Sequence, residues 1–151
     1  MPVGHTRSWE LGTRAQTLLE LDAPLFSVLT SSALPPTAQP NATETSALSD
    51  VYSIAHNVVS GRAASNHNAS GPQPLMQDGS AADPASIGVA VLLANWTGRS
   101  AVDGLDYAGA ARDQLNFLWS SNVSKTSDGA LSHRVDQLQL WWVVALLEDR
   151  V

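Results

Sequence analysis

The chain has 151 residues, a net charge of −6 and no cysteine. A single lysine, Lys125, and seven scattered arginines argue against a nucleic-acid partner, which requires clustered cations to hold phosphates. The missing thiols exclude disulfides, zinc–thiolate sites and thiol catalysis. With 44% apolar and 15% charged residues, the composition suits one domain with a buried core rather than a disordered chain.

The first predicted helix runs from about Trp9 to Asp22. Ser8 stands in the N-cap position, Leu11, Ala15, Leu18 and Leu19 form one face, and Glu10 and Arg14 are spaced to pair. Pro24 closes it. The apolar patch Leu25 to Leu29 reads as extended and leads into a linker with Pro35, Pro36 and Pro40. A second helix is predicted from Ala47 to Ser60, capped by Ser46 and ended by Gly61, with Leu48, Val51, Ile54, Ala55 and Val58 on one face.

Residues 61–82 form a predicted loop long enough to be unusual in a compact domain. The third helix opens with Asp83 as N-cap and Pro84 at the first helical position. It continues Ile87 to Trp96, stops near Gly98, and is apolar on nearly all sides, so it must be buried on nearly all sides. A fourth helix spans Tyr107 to Trp119, with Tyr107, Ala111, Leu115 and Leu118 predicted to face inward. Asp103 and Asp106 precede it as capping and helix-dipole residues, and Trp96 and Trp119 are assigned to the core. A fifth helix begins near Asp136.

No useful stretch alternates with period 2, so the fold class is all-α, in a single domain over residues 1–151. Five helices supply few neighbours for a third helix buried all round. The chain is therefore expected to belong to a larger helical assembly or to meet a partner. The start, Met1 to Arg7, has no apolar run of a signal peptide. The longest apolar run, Leu140 to Leu147, falls well short of the roughly 20 residues that span a bilayer. Four of the seven asparagines, Asn41, Asn68, Asn95 and Asn122, lie in N-x-Ser/Thr sequons. That is more than the 27 Ser and Thr give by chance, and it points to a parent that evolved in a secretory route.

Chemistry is sparse. His5, His56, His67 and His133 lie far apart without metal-ligand spacing, no phosphate or dinucleotide loop is present, and neither a metal nor a cofactor is expected. His56 reads as a structural histidine at the edge of the second helix's apolar face. Among the carboxylates, Asp83, Asp103 and Asp106 read as helix-start residues. Asp78 and Asp128 precede glycines in turn-like pairs and are left as ligand candidates beside Asp136. The richest segment is Asp128 to Trp141, where a Gly-bearing loop brings Asp128, His133 and Arg134 just ahead of Trp141. These four are the predicted rim of a polar-ligand pocket. Trp141 and Trp142 are adjacent and cannot share a helix face, so one of them is expected to be exposed unless a partner covers it, either as a stacking platform for a sugar or in simple helix packing.

The order of a long loop, Asp-Gly, His-Arg and Gln-Leu-Trp resembles the six-hairpin glycosidases, in particular the unsaturated rhamnogalacturonyl and glucuronyl hydrolases. The stretches 71–97 and 107–115 are similar to fungal members, and the likeness runs from about Trp9 to Trp141. It implies an (α/α)6 barrel of twelve helices, of which this chain supplies about five. It implies hydration of an unsaturated uronic-acid sugar, with an aspartate donating the proton two residues after the tryptophan that matches Trp141. His133 matches a histidine lining the substrate site. Here that proton-donor position is Val143, which has no proton to give. The expectation is therefore a truncated, catalytically incomplete form whose frame departs after Trp141. Inner faces such as Val89 to Leu93 and Val143 to Leu147 would then be exposed, and the chain would oligomerise or aggregate. The alternative is a small helical carbohydrate-binding or interaction module without catalysis.

Overall fold

A computed structural model describes residues 7–29, 35, 39–65, 71–133 and 135. Among them are six α-helices and no strand: α1 Ser8–Asp22, α2 Ala42–Ala47, α3 Ser49–Ser65, α4 Gly88–Trp96, α5 Arg99–Asp103 and α6 Tyr107–Trp119. Two 3-10 turns, Pro24–Phe26 and Asp83–Ile87, precede α2 and α4. The all-α class holds. No described helix is long and apolar enough to cross a membrane.

α4 is the centre of the molecule. None of its nine residues is exposed, and Ala90, Val91, Leu93 and Ala94 are fully buried. α1, α3, α5 and α6 all pack against it. Its all-round apolar sequence thus has the environment it demands. Val89 and Leu92 are partly covered, so the expectation of an exposed Val89-to-Leu93 face is not met. α1 contributes Ala15 and Leu19, the α2–α3 junction contributes Leu48, and α3 contributes Val51, Tyr52, Ile54, Ala55, Val58 and Val59. The predicted face of α3 is therefore the buried one.

α1 approaches the 83–87 turn so closely that Gly12 is buried there. A Cβ at position 12 would stand 1.9 Å from Ser86 Oγ. The start of α6 is as predicted, while those of α1 and the second helical region differ for traceable reasons. Ser8 lies inside α1, not at its cap, because its backbone N–H (3.0 Å) and its hydroxyl both donate to the Asp78 carboxylate. Arg7 takes the cap position, its N–H donating to Glu10 at 2.8 Å. The second helical region starts earlier than Ala47. Asn41 accepts from the Thr43 and Glu44 amides, and Glu44 accepts from the Asn41 amide, a reciprocal capping box. Gly61 does not end α3, which continues to Ser65.

The Leu25–Leu29 patch is not extended. It turns as a 3-10 segment that buries Phe26 and leaves Leu25 and Leu29 exposed. The predicted 61–82 loop shortens at its start, because α3 runs on to Ser65, and its described part is held against α6. Arg62 donates to the Gln73 and Pro74 carbonyls and pairs with Asp113 at 2.7 Å. The buried Leu75 amide donates to Gln114 Oε1 at 2.8 Å.

That last bond turns α6 away from its predicted orientation. The buried residues are Tyr107, Ala110, Gln114 and Phe117, one position off the predicted Ala111, Leu115 and Leu118. Leu115 is 56% exposed and Trp119, assigned to the core, is 66% exposed. Gln114 wins the inward position because it caps a buried backbone donor, which costs more to leave bare than an exposed leucine. Ala111, Leu115 and Leu118 instead line an open apolar groove of about 500 Å³ shared with Ala85, Gly88 and Leu92.

Candidate functional site

The 124–133 loop returns on itself as a short hairpin. Ser132 N–H donates to Ser124 O at 2.9 Å, Lys125 and Leu131 form an antiparallel bridge, and the turn closes through Gly129 at φ 90°. A side chain other than glycine is strained at that φ. Asp128 sits at the tip, fully exposed, and accepts from the Thr126 hydroxyl. That bond, foremost, lowers its carboxyl below the ordinary aspartate value.

The hairpin ends at His133, whose carbonyl accepts from Ala81 N–H (2.9 Å) and Ser80 Oγ (3.2 Å). These bonds set the His133 ring beside the 83–87 turn, with Nε2 3.7 Å from Asp83 Oδ1. The imidazole is 60% exposed and the carboxylate 22%. Asp83 is not the helix cap that its place before Pro84 suggested. The cap position is Ala82, the Asp83 amide donates to Ser80 Oγ, and its carboxylate is left facing His133. Asp78 is occupied by Ser8 and by the Ser80 amide, so it joins α1 to the loop. His133 and Asp128 thus sit at the end and at the tip of the same hairpin-like loop. Arg134, Asp136, Trp141 and Val143, with the fifth helix, lie outside the described residues.

A second polar site was not anticipated. Thr45 at the end of α2, Ser49, Tyr52, Ser53, His56 and Asn57 of α3, and Arg99 of α5 line a pocket of about 380 Å³. Arg99 is anchored from below: Nη2 is 2.6 Å from Asp103 Oδ1, and its guanidinium carbon stands 5.3 Å from the Tyr52 ring centroid. The Tyr107 hydroxyl donates to the other Asp103 oxygen at 2.6 Å. Asp103 therefore holds an arginine and a tyrosine, while Asp106 alone caps α6 through the Gly109 amide. The Arg99–Asp103 spacing of four is legible in the sequence as a helical ion pair. The short helix that carries it is not, because it lies between two glycines, Gly98 and Gly104, both at positive φ.

The Tyr107 hydroxyl holds the Asp103 carboxyl below the ordinary value of 3.8; burial opposes this, and Arg99 and His56 add to it. Burial, with the same carboxylate, pushes the Tyr107 phenol up. A carboxyl lowered in the folded state contributes stability above its unfolded value and loses it as pH falls through the folded one. Tyr107→Phe is thus expected to be less stable than the parent at neutral pH, with the difference shrinking as pH drops below 3.8. Denaturant midpoints across that range measure it. A difference that stays constant down the acid limb would mean that the bond to Asp103 is not its source.

Burial also raises the Tyr52 phenol, with Thr97 and Arg99 opposing. Thr97 Oγ1 donates to the Leu93 carbonyl and is the side-chain hydrogen-bond neighbour of the buried Tyr52 hydroxyl. Among the described residues no group of three His, Cys, Asp or Glu is placed to hold a metal ion. No family model, curated protein or solved structure matches the chain.

Proposed function

We propose that the chain is the N-terminal portion of an α/α toroid of the six-hairpin glycosidase kind, one that binds unsaturated uronic-acid sugars without hydrating them. The supporting observation is the His133–Asp83 pair, with an exposed imidazole held at the edge of two loops pinned to each other. A ring fixed by backbone bonds and paired with a carboxylate is oriented to donate to a sugar oxygen. The open Ala111, Leu115 and Leu118 face fits the reading, since a toroid would cover it with the next helix. Loss of acid catalysis follows from valine at position 143.

Calorimetry with an unsaturated digalacturonide at millimolar concentration tests this reading. Heat of binding is expected from the parent and not from His133→Ala, with no decay of the sugar's unsaturated-bond absorbance in either. Absence of heat at millimolar ligand removes the sugar-binding reading. The apolar groove then favours a helical interaction module without a carbohydrate ligand.

A further inference from the structure

We infer that the chain's own C-terminal segment, residues 136–151, docks in the apolar groove between α4, α6 and the 83–87 turn, as a helix antiparallel to α6. Neither His133 nor Asp83 lines the groove, so this does not rest on the sugar reading.

The groove combines small residues, such as Gly88, Ala108 and Ala111, with Leu92, Leu115 and Leu118. Small positions beside leucines on two neighbouring elements make a furrow that bulky apolar side chains can enter. Left open to water, such a face costs free energy.

Three observations select residues 136–151 as the occupant. The first is where the described residues stop. Val135 packs against the Ala81, Phe117 and Val123 cluster, as does Leu118, and its amide donates to the Gly79 carbonyl at 3.2 Å. Leu118 also lines the groove, so the chain is delivered to the groove at the C-terminal end of α6. The second is length and composition. The groove follows α6 from Leu118 back to Ala108, about 15 Å at the helical rise. Residues Leu138 to Leu147 span about the same distance as a helix, and only Gln139 among them is polar. The third is charge. Arg112 is the only charged residue among the described lining, and Glu148 and Asp149 follow the apolar run. An antiparallel course from Leu118 brings these acids to within about one turn of Arg112.

In that register Leu138 lies level with Leu118, and Ala145 with Ala111. Leu138, Trp142 and Ala145 share the side toward α6, being spaced by four and three. Leu140, Val143 and Leu147 fall on the opposite side and stay outward.

The chain has no cysteine, so introduced pairs report the contact without background. Ala111→Cys with Ala145→Cys in the full chain, treated with a short bis-maleimide at low protein concentration, is expected to link within one chain and keep the mass of a monomer. Ser53→Cys with Ala145→Cys is the control, because Ser53 lies on the exposed side of α3, and it should not link within a chain. Chymotrypsin gives a second readout, since it reaches Trp141 and Trp142 only when the segment is released. Leu115 is 56% exposed, so Leu115→Asp leaves the core intact and should speed that cleavage about tenfold. The inference is overturned by links between chains, which would make a second copy the occupant, by equal linking of the control pair, or by no link. It is equally overturned if the parent is cut at Trp141 and Trp142 as fast as Leu115→Asp.

Discussion

Replacing Gly12 by alanine is expected to destabilise the protein by about 1–3 kcal/mol, the usual range for overpacking a filled site. In an ordinary exposed helix the same change would stabilise by up to about 1 kcal/mol, since glycine is the poorer helix former. Here the added methyl would lie 1.9 Å from Ser86 Oγ, 2.5 Å from Ser86 Cβ and 2.9 Å from the Ser86 backbone carbon. A serine hydroxyl can rotate away, but a Cβ and a carbonyl carbon cannot move without the 83–87 turn moving. That turn carries Pro84 and Ile87 into the core and Asp83 to His133. The clash therefore outweighs the propensity gain and also disturbs the candidate site. Thermal or urea midpoints measure the effect. Ser86→Gly in the same chain should recover part of the loss, because it removes the two nearest atoms. A stabilised Gly12→Ala single variant would mean that α1 does not approach the turn this closely.

The second large effect is expected at Arg62. Arg62→Ala should cost about 2–3 kcal/mol, mostly through the loop and not through the ion pair. The guanidinium is 14% exposed and donates to two carbonyls, Gln73 and Pro74, as well as to Asp113. Asp113 is 44% exposed, so solvent screens its share and Asp113→Asn should cost under about 1 kcal/mol. Arg62→Lys is expected to behave more like alanine than like the parent, because a single ammonium cannot reproduce the planar fork. Limited proteolysis gives a separate readout, since residues 71–77 should become cleavable in Arg62→Ala before the helices do. Equal losses from Arg62→Ala and Asp113→Asn would mean that the ion pair, not the loop carbonyls, carries the stability.

The sequence by itself determined the helical class, the extents of α1 and α6 and the buried face of α3. In each case an apolar repeat of three and four residues coincides with a stop signal such as Pro24, or with a cap such as Asp106. It also determined that α4 must be central, because nine residues without a polar face leave no side for water. The Asn41–Glu44 capping box that opens α2 lies within one turn, but the sequence reading set the helix start at Ala47 with Ser46 as its cap and passed over it. Tertiary structure alone decided which polar residues are spent and which are left available. Asp78 is taken by Ser8, 70 residues away, and Gln114 by Leu75, 39 residues away. Those bonds move the α1 cap to Arg7 and turn α6 so that Leu115 faces out. The same holds for both candidate sites. Asp83 meets His133 only because the two loops bond to each other, and Tyr52 meets Arg99 only because α5 folds back beside α3. Local periodicity encodes which face a helix buries, but a side chain's hydrogen-bond partner depends on what the rest of the chain brings within about 3 Å of it.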